Sequence, residues 1–249
     1  MWYNENMKLE CLWKKDAVQS DVDLELAHLD LSEKVRSPLD DSSPIAPDPL
    51  IVLLHGYGSN EFDLPGVAEA LGLHLNWVSI RAPLLLDEFT GGFAWFNSPI
   101  KDNIDELMSA AAENSELIEK WLEEQKNCGR IQQNQKFIFI GFSQGAVQVT
   151  HLLTRKFLQP HIHCVVALSG YLPFSSDFKA SGTSQIKVFH GYGLADNIVT
   201  SNYSEKVSTW FSDNTISENR SYSGLTHAIS EQELMDIKKF ITSSKTYKV

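Results

Sequence analysis

The sequence predicts an α/β fold: a mostly parallel central sheet with helices on both faces. Three observations carry this. From residue 50 onward, short runs of branched and aromatic residues alternate with longer helical patterns. The first run, Leu50-Ile51-Val52-Leu53-Leu54, is apolar at every position, as a strand covered on both faces must be. Strands separated by helices pair in parallel through crossovers, and the crossovers lay the helices on the sheet.

Before residue 50 the pattern has a period of two. Met7, Leu9, Cys11 and Trp13 alternate with more polar neighbours, and Val22, Leu24 and Leu26 alternate with Asp21, Asp23 and Glu25. Each run reads as a strand with one buried face, and the polar residues 14–20 as the turn between them. Residues 1–36 are therefore expected to form an N-terminal antiparallel β-hairpin that extends the sheet. Residues 37–49 hold four prolines among Asp and Ser and read as a linker loop. Residues 50–249 form the α/β domain proper, and the whole is expected to be a single structural domain. Further strands are expected at 75–80, 136–140, 163–168, 186–189 and 216–222. Helices are expected at 104–125, 144–157, 201–211 and 231–240. In the first of these, Ile104, Leu107, Ala111, Ile118 and Leu122 fall on one stripe.

A formal net charge of −11 excludes the broad classes that bind phosphate-rich partners. It disfavours nucleic acid and also a basic patch docking on anionic lipid. No run is long and apolar enough to span a bilayer, so stable membrane insertion is not expected. The first residues, Met1-Trp2-Tyr3-Asn4-Glu5-Asn6, lack the basic and apolar regions of a secretory signal, which makes the cytoplasm the expected location. Cys11, Cys128 and Cys164 are widely spaced and form no Cys-x-x-Cys pair, so neither a disulfide framework nor a metal site is indicated.

The segment Phe137-Ile138-Phe139-Ile140-Gly141-Phe142-Ser143-Gln144-Gly145-Ala146 reads as a buried strand, a Gly-x-Ser-x-Gly turn and a helix. A nucleophile on such an elbow takes up a strained backbone conformation. Side chains two residues either side would collide with it, so both positions favour glycine. The helix N-terminus behind Ser143 favours the negative charge that develops in acyl transfer. The alternative is a strand followed by a helix with Ser143 as its N-cap.

A serine hydroxyl needs a histidine to take its proton and a carboxylate to orient that histidine. After such an elbow the order along the chain is serine, acid, histidine. His151 lies on the helix leaving the turn, facing away. His161 and His163 flank the start of a strand at the opposite edge, and His190 ends a strand as a plausible structural residue. His227 follows the run 216–222 and the turn Gly224-Leu225-Thr226, which puts it on a loop at the serine's edge. Asp196 follows the strand 186–189 and is favoured as the acid over Asp177, because apolar Ile198 and Val199 would anchor its loop. The first buried strand runs into His55-Gly56-Tyr57-Gly58, where the Tyr57 N–H would form an oxyanion hole with the Gln144 N–H. His55 is expected to brace that loop.

These segments together resemble the carboxylesterase, lysophospholipase and acyl-protein thioesterase family of α/β-hydrolases, its bacterial carboxylesterase branch in particular. The resemblance covers most of residues 50–241. It is carried by Leu54-His55-Gly56-Tyr57-Gly58-Ser59-Asn60, Arg81-Ala82-Pro83, Gly91-Gly92-Phe93-Ala94-Trp95-Phe96, the elbow, Leu168-Ser169-Gly170-Tyr171-Leu172 and His227-Ala228-Ile229-Ser230. It implies an α/β-hydrolase fold with no large cap domain, no cofactor, and cleavage of a small acyl ester or of an acylated protein. It also implies Ser143, Asp196 and His227 as the triad. Between His190 and the acid the chain is about two residues longer than similar sequences, which bears on the reach of Asp196. Leu86, Phe89, Phe93, Trp95 and Phe96 crowd one predicted loop and are the candidates for an acyl groove, Trp95 foremost. Within the esterase reading, a thioesterase acting on acylated proteins is the runner-up. A non-catalytic, ligand-binding member of the fold would be signalled by loss of a triad residue, and none is lost.

Overall fold

The all-apolar run Leu50–Leu54 forms a strand with no exposed face, and the sheet grows outward from it. The computed structural model of the chain describes residues 9–14, 47–87, 89, 91–97 and 103–243. In chain order the strands are β1 (Cys11–Trp13), β2 (Leu50–Leu54), β3 (Trp77–Ile80), β4 (Leu84–Asp87), β5 (Gly92–Ala94), β6 (Phe137–Phe142), β7 (Ile162–Leu168), β8 (Lys187–Gly193) and β9 (Ile216–Tyr222). The helices are α1 (Pro65–Ala70), α2 (Ile104–Asn127), α3 (Gln144–Leu152), α4 (Ser201–Asn214) and α5 (Glu231–Ser243).

Seven strands make one sheet in the order β1-β3-β2-β6-β7-β8-β9, parallel throughout except for β1. One apolar layer joins β2, β6 and β7 to α2, α3 and α4. The other joins the same strands to α1 and α5. Helices therefore cover both faces, and the carboxyl ends of the parallel strands share one rim. Among the described residues no helix is long and apolar enough to cross a membrane.

The N-terminal alternation does yield a strand, β1, which pairs antiparallel with β3 at the sheet edge. Its expected hairpin partner at 22–26, and the expected linker up to residue 46, lie outside the described residues. Three differences from the expected elements bear on the site. The predicted loop rich in Leu and Phe is instead an antiparallel pair, β4 with β5. The short helix α1, opened by Pro65, had no periodicity long enough to reveal it. The predicted strand 186–189 is observed as β8, Lys187–Gly193, which carries the chain to the rim just before Asp196.

One buried charge is exceptional. Glu233, in the first turn of α5, is 1 % exposed, and neither of its carboxyl oxygens has a hydrogen-bond partner. Glycine at 191 makes room for it, since a Cβ there would lie 2.1 Å from Glu233 Oε1. Burial, reinforced by the charge of Asp236, pushes the Glu233 pKa up to about 7. The folded value lies above that of a free carboxyl. The stabilisation from the neutral form is therefore complete below the ordinary carboxyl range and is lost as pH rises through about 7. Glu233→Gln should flatten this dependence. Thermal unfolding compared at about pH 5 and pH 8.5 should show the wild type losing about 2–3 kcal/mol more than the variant.

Candidate active site

β6 ends at Phe142 and α3 begins at Gln144, so the reversal is made by Ser143 alone, at φ 55° and ψ −115°. A non-glycine residue held there stores about 1–3 kcal/mol of strain. The neighbouring glycines permit the turn, but not for the reason expected. A Cβ on Gly141 would meet the Gly145 carbonyl oxygen at 2.2 Å, and one on Gly145 would meet Leu54 O at 1.8 Å. The collisions are between the two arms of the elbow and with the end of β2, not with Ser143. The Ser143 N–H donates to Leu168 O at 2.9 Å, which ties the turn to β7. The hydroxyl makes no capping bond to α3. Its Oγ lies 2.9 Å from His227 Nε2.

The loop carrying His227 leaves β9 through Gly224, at φ 73°, and is stitched to the loop after β8. Leu194 N donates to Tyr222 O at 2.9 Å and Ala195 N to Leu225 O at 3.0 Å. That close approach needs Gly193, where a Cβ would lie 2.1 Å from Leu225 O. Asp196 and His227 thus arrive on two loops already hydrogen-bonded to each other. His227 Nδ1 lies 2.7 Å from Asp196 Oδ2. The other carboxylate oxygen accepts the N–H groups of Ile198 at 2.8 Å and Val199 at 2.9 Å. Of the two apolar anchors expected for this loop, Val199 is buried and Ile198 is exposed; both hold the carboxylate through the backbone. The Asp196 side chain is wholly buried and the His227 ring packs on Phe142, 4.8 Å between centroids. A carboxylate accepts at Nδ1, so the proton sits there and Nε2 is left to accept from the Ser143 hydroxyl.

The other candidates are accounted for elsewhere. Asp177 lies on an exposed loop, where the Ser175 hydroxyl donates to it and holds its pKa below the usual carboxylate range. His151 bonds Ser115 Oγ at 2.8 Å between α2 and α3, and burial lowers its pKa to about 4. His161 sits beside Gln135 O at 3.1 Å, at the other end of the sheet. His190 is buried against Ser208 Oγ at 3.1 Å, with its pKa lowered by burial to about 3.

The loop after β2 passes directly over the elbow: a Cβ on Gly56 would sit 3.3 Å from Ser143 Cβ. β5 fixes this loop through Gly58 N to Phe93 O at 2.9 Å and Phe93 N to Ser59 O at 2.8 Å. Among the described residues neither the Tyr57 N–H nor the Gln144 N–H donates to a backbone carbonyl outside the regular elements. His55 braces the loop from within. Its Nε2 accepts from Ala82 N at 3.0 Å, so Nδ1 carries the proton and donates to Gly56 O at 2.8 Å. Burial lowers its pKa and keeps this neutral tautomer in place.

The expected acyl groove is redistributed. Trp95 and Phe96 are core residues, each 1 % exposed, and do not line an open groove. The Trp95 indole N–H donates to His55 O at 2.9 Å. Phe93 is half-buried with the Arg81 guanidinium 4.8 Å above its ring, Leu86 is half-buried on β4, and Phe89 is fully exposed. The physical reason is that alternation along β5 turns Phe93 away from the buried face that takes Ala94, and the chain beyond it folds into the core.

Sequence reasoning missed the Gln144 side chain. Its Oε1 accepts from Trp95 N at 3.0 Å and its Nε2 donates to Phe96 O at 3.0 Å. Gln148 and His151 continue the same face of α3 at helical spacing, Gln148 bonding Ala111 O and Ser115 Oγ. A polar stripe on an otherwise apolar helix was the available signal.

The profile of the Phospholipase/Carboxylesterase family matches residues 42–245. The chain belongs to that family. It is accordingly a hydrolase with the α/β-hydrolase fold. Among its relatives is the acyl-protein thioesterase 1 of Candida albicans, 27% identical over 230 residues, covering 83% of this chain and 95% of the relative. The protein of the same name from Debaryomyces hansenii is 28% identical over 213 residues, covering 77% and 89%. Two solved structures share the fold: esterase PE8, with TM-score 0.68, 23% identity and coverage of 80% and 93%, and the Bacillus cereus carboxylesterase, with TM-score 0.66, 22% identity and coverage of 79% and 88%.

For this family member the Gln144 clamp is testable apart from catalysis. Gln144→Leu strands the Trp95 N–H and the Phe96 carbonyl in a buried setting. Urea unfolding should show a loss of about 2–4 kcal/mol with an unchanged denaturant slope.

Proposed function

We propose that the chain is a serine carboxylesterase that hydrolyses short- to medium-chain acyl esters through an acyl-enzyme on Ser143. The observation that carries this is the unbroken line from Ser143 Oγ through both nitrogens of His227 to the buried Asp196 carboxylate, at 2.9 and 2.7 Å.

In the reaction His227 Nε2 takes the Ser143 proton as Oγ bonds the ester carbonyl carbon. The oxyanion that forms accepts the N–H groups of Tyr57 and Gln144. Each such donor contributes on the order of 3 kcal/mol to the transition state. The positive end of α3 adds to them. The imidazolium, stabilised by Asp196, then protonates the leaving oxygen as its bond to carbon breaks, and the alcohol departs. Water gives a proton to His227 and its oxygen to the acyl carbon. The second tetrahedral species collapses, returning the proton to Ser143 Oγ and releasing the carboxylic acid.

A second reading is an acyl-protein thioesterase, favoured by the names of the yeast relatives, or a lysophospholipase, in line with the family's description. The same steps serve it, with a thiol leaving group that needs less protonation. The three widely spaced cysteines, with no Cys-x-x-Cys pair among them, support the cytoplasm as the location.

A 4-nitrophenyl ester series and a fluorophosphonate probe test the proposal. Ser143→Ala should abolish labelling and lower kcat by on the order of 10⁴ to 10⁶. Should the wild type stay unlabelled and turn over no ester faster than this variant, the reading fails. Asp196→Asn should lower kcat by on the order of 10⁴, because an amide can hold the imidazole in the wrong tautomer. Asp177→Asn should leave kcat unchanged; the reverse pattern would reassign the acid.

A further inference from the structure

Two consecutive residues at the exit of β3 hold both ends of the loop after β2. At its start, Ala82 N donates to His55 Nε2 at 3.0 Å. At its end, the Arg81 guanidinium takes Glu61 in a fork: Nε donates to Oε2 at 2.7 Å and Nη2 donates to Oε1. The same guanidinium lies 4.8 Å from the ring centroid of Phe93, the residue whose backbone bonds Gly58 and Ser59 in the middle of the loop. Arg81 thus touches both the loop and the strand to which the loop is fastened.

This loop needs an outside clamp. It carries Tyr57 between Gly56 and Gly58, and glycine leaves a backbone more freedom than any other residue. Tyr57 is itself 50 % exposed, so its side chain anchors little. Glu61, by contrast, is 4 % exposed. Burial would raise its pKa, but the bonds from Arg81 outweigh that and hold it below the usual carboxylate range. A planar fork on a carboxylate fixes direction as well as distance, which a single-point contact does not. The remaining nitrogen, Nη1, donates to Glu10 Oε2 just before β1, but that side chain is 69 % exposed and contributes little.

We propose that Arg81 is a positioning residue for catalysis: through its fork on Glu61 it sets where the Tyr57 N–H meets the forming oxyanion. This rests on Ser143 being the acylated residue and on Tyr57 supplying an oxyanion donor. Arg81 acts through the loop, and what it supports is used only in the transition state, when the carbonyl oxygen takes on charge.

The test uses the full chain with 4-nitrophenyl butyrate. Arg81→Lys keeps the charge and loses the fork; Glu61→Gln keeps the shape and loses the charge. Each should lower kcat about tenfold with KM within about twofold of the wild type, since displacing an oxyanion donor costs less than removing one. Affinity for a trifluoromethyl ketone, whose hemiketal oxygen uses the same donors, should fall by about the same factor. The acid limb of the kcat profile, which reports His227, should not move. Glu10→Gln should match the wild type. Wild-type kcat in folded Arg81→Lys and Glu61→Gln overturns the positioning role alone. So does a loss carried by KM or by the acid limb, a loss that leaves the ketone's affinity unchanged, or an equal loss in Glu10→Gln. Should Arg81→Lys fail to fold, Glu61→Gln decides by the same measurements. A wild type that hydrolyses nothing, or hydrolysis undiminished in Ser143→Ala, overturns the esterase reading and this one with it.

Discussion

At Ser143 the backbone turns from strand to helix within a single residue at positive φ, and the surrounding structure is organised to hold that turn. Strain of this kind persists only where neighbours over-determine it. Here they do so from three directions. Leu168 accepts the Ser143 N–H, the Gly145 backbone lies against the Leu54 carbonyl, and the loop after β2 passes over the serine at Gly56. Leu168 ends β7, Leu54 ends β2 and Gly56 follows it, so the turn is braced from the two strands that flank β6 in the sheet.

His227 and Asp196, the base and acid of the proposed triad, are held differently. They sit on loops, and precision there comes from backbone bonds between the loops, not from packing alone. Asp196 receives two backbone N–H groups on one oxygen and the imidazole on the other. Because the carboxylate is wholly buried, those three donors replace its lost hydration. Glu233 makes the contrast. It is buried in the first turn of α5 with no donor to its carboxyl oxygens, and its pKa is driven upward. Burial alone pushes a carboxyl toward its neutral form, and at Glu233 no donor to the carboxyl oxygens opposes it.

Much of this was legible in the sequence, for definite physical reasons. The apolar run 50–54 could only be a doubly covered strand, and the Gly-x-Ser-x-Gly turn between a buried run and a helical pattern could be placed to the residue. His227 was singled out by elimination, since each competitor fell on a helix face, a core position or the wrong end of the sheet. What failed to show was whatever depends on contacts between distant segments. The stretch around Trp95 looked like a greasy loop because sequence does not reveal that His55 and Gln144 anchor it in the core. The fork of Arg81 on Glu61 joins the exit of β3 to the loop after β2, two segments with no common pattern.

The Gln144 side chain links these two halves of the site. Gln144 follows Ser143 directly in the chain while its amide bridges Trp95 and Phe96, so the elbow is fastened to the segment leaving β5. That segment in turn holds His55 through the Trp95 indole, and His55 sets the loop that carries Tyr57. The two expected oxyanion donors are therefore joined by a continuous path of buried hydrogen bonds, although 87 positions separate them in the numbering. Buried polar groups in such a path are all satisfied or all costly, because the low dielectric penalises any broken member. In the proposed reaction this path would hold both N–H groups ready before any substrate arrives. Preorganised dipoles of this kind stabilise a forming oxyanion without a reorganisation penalty.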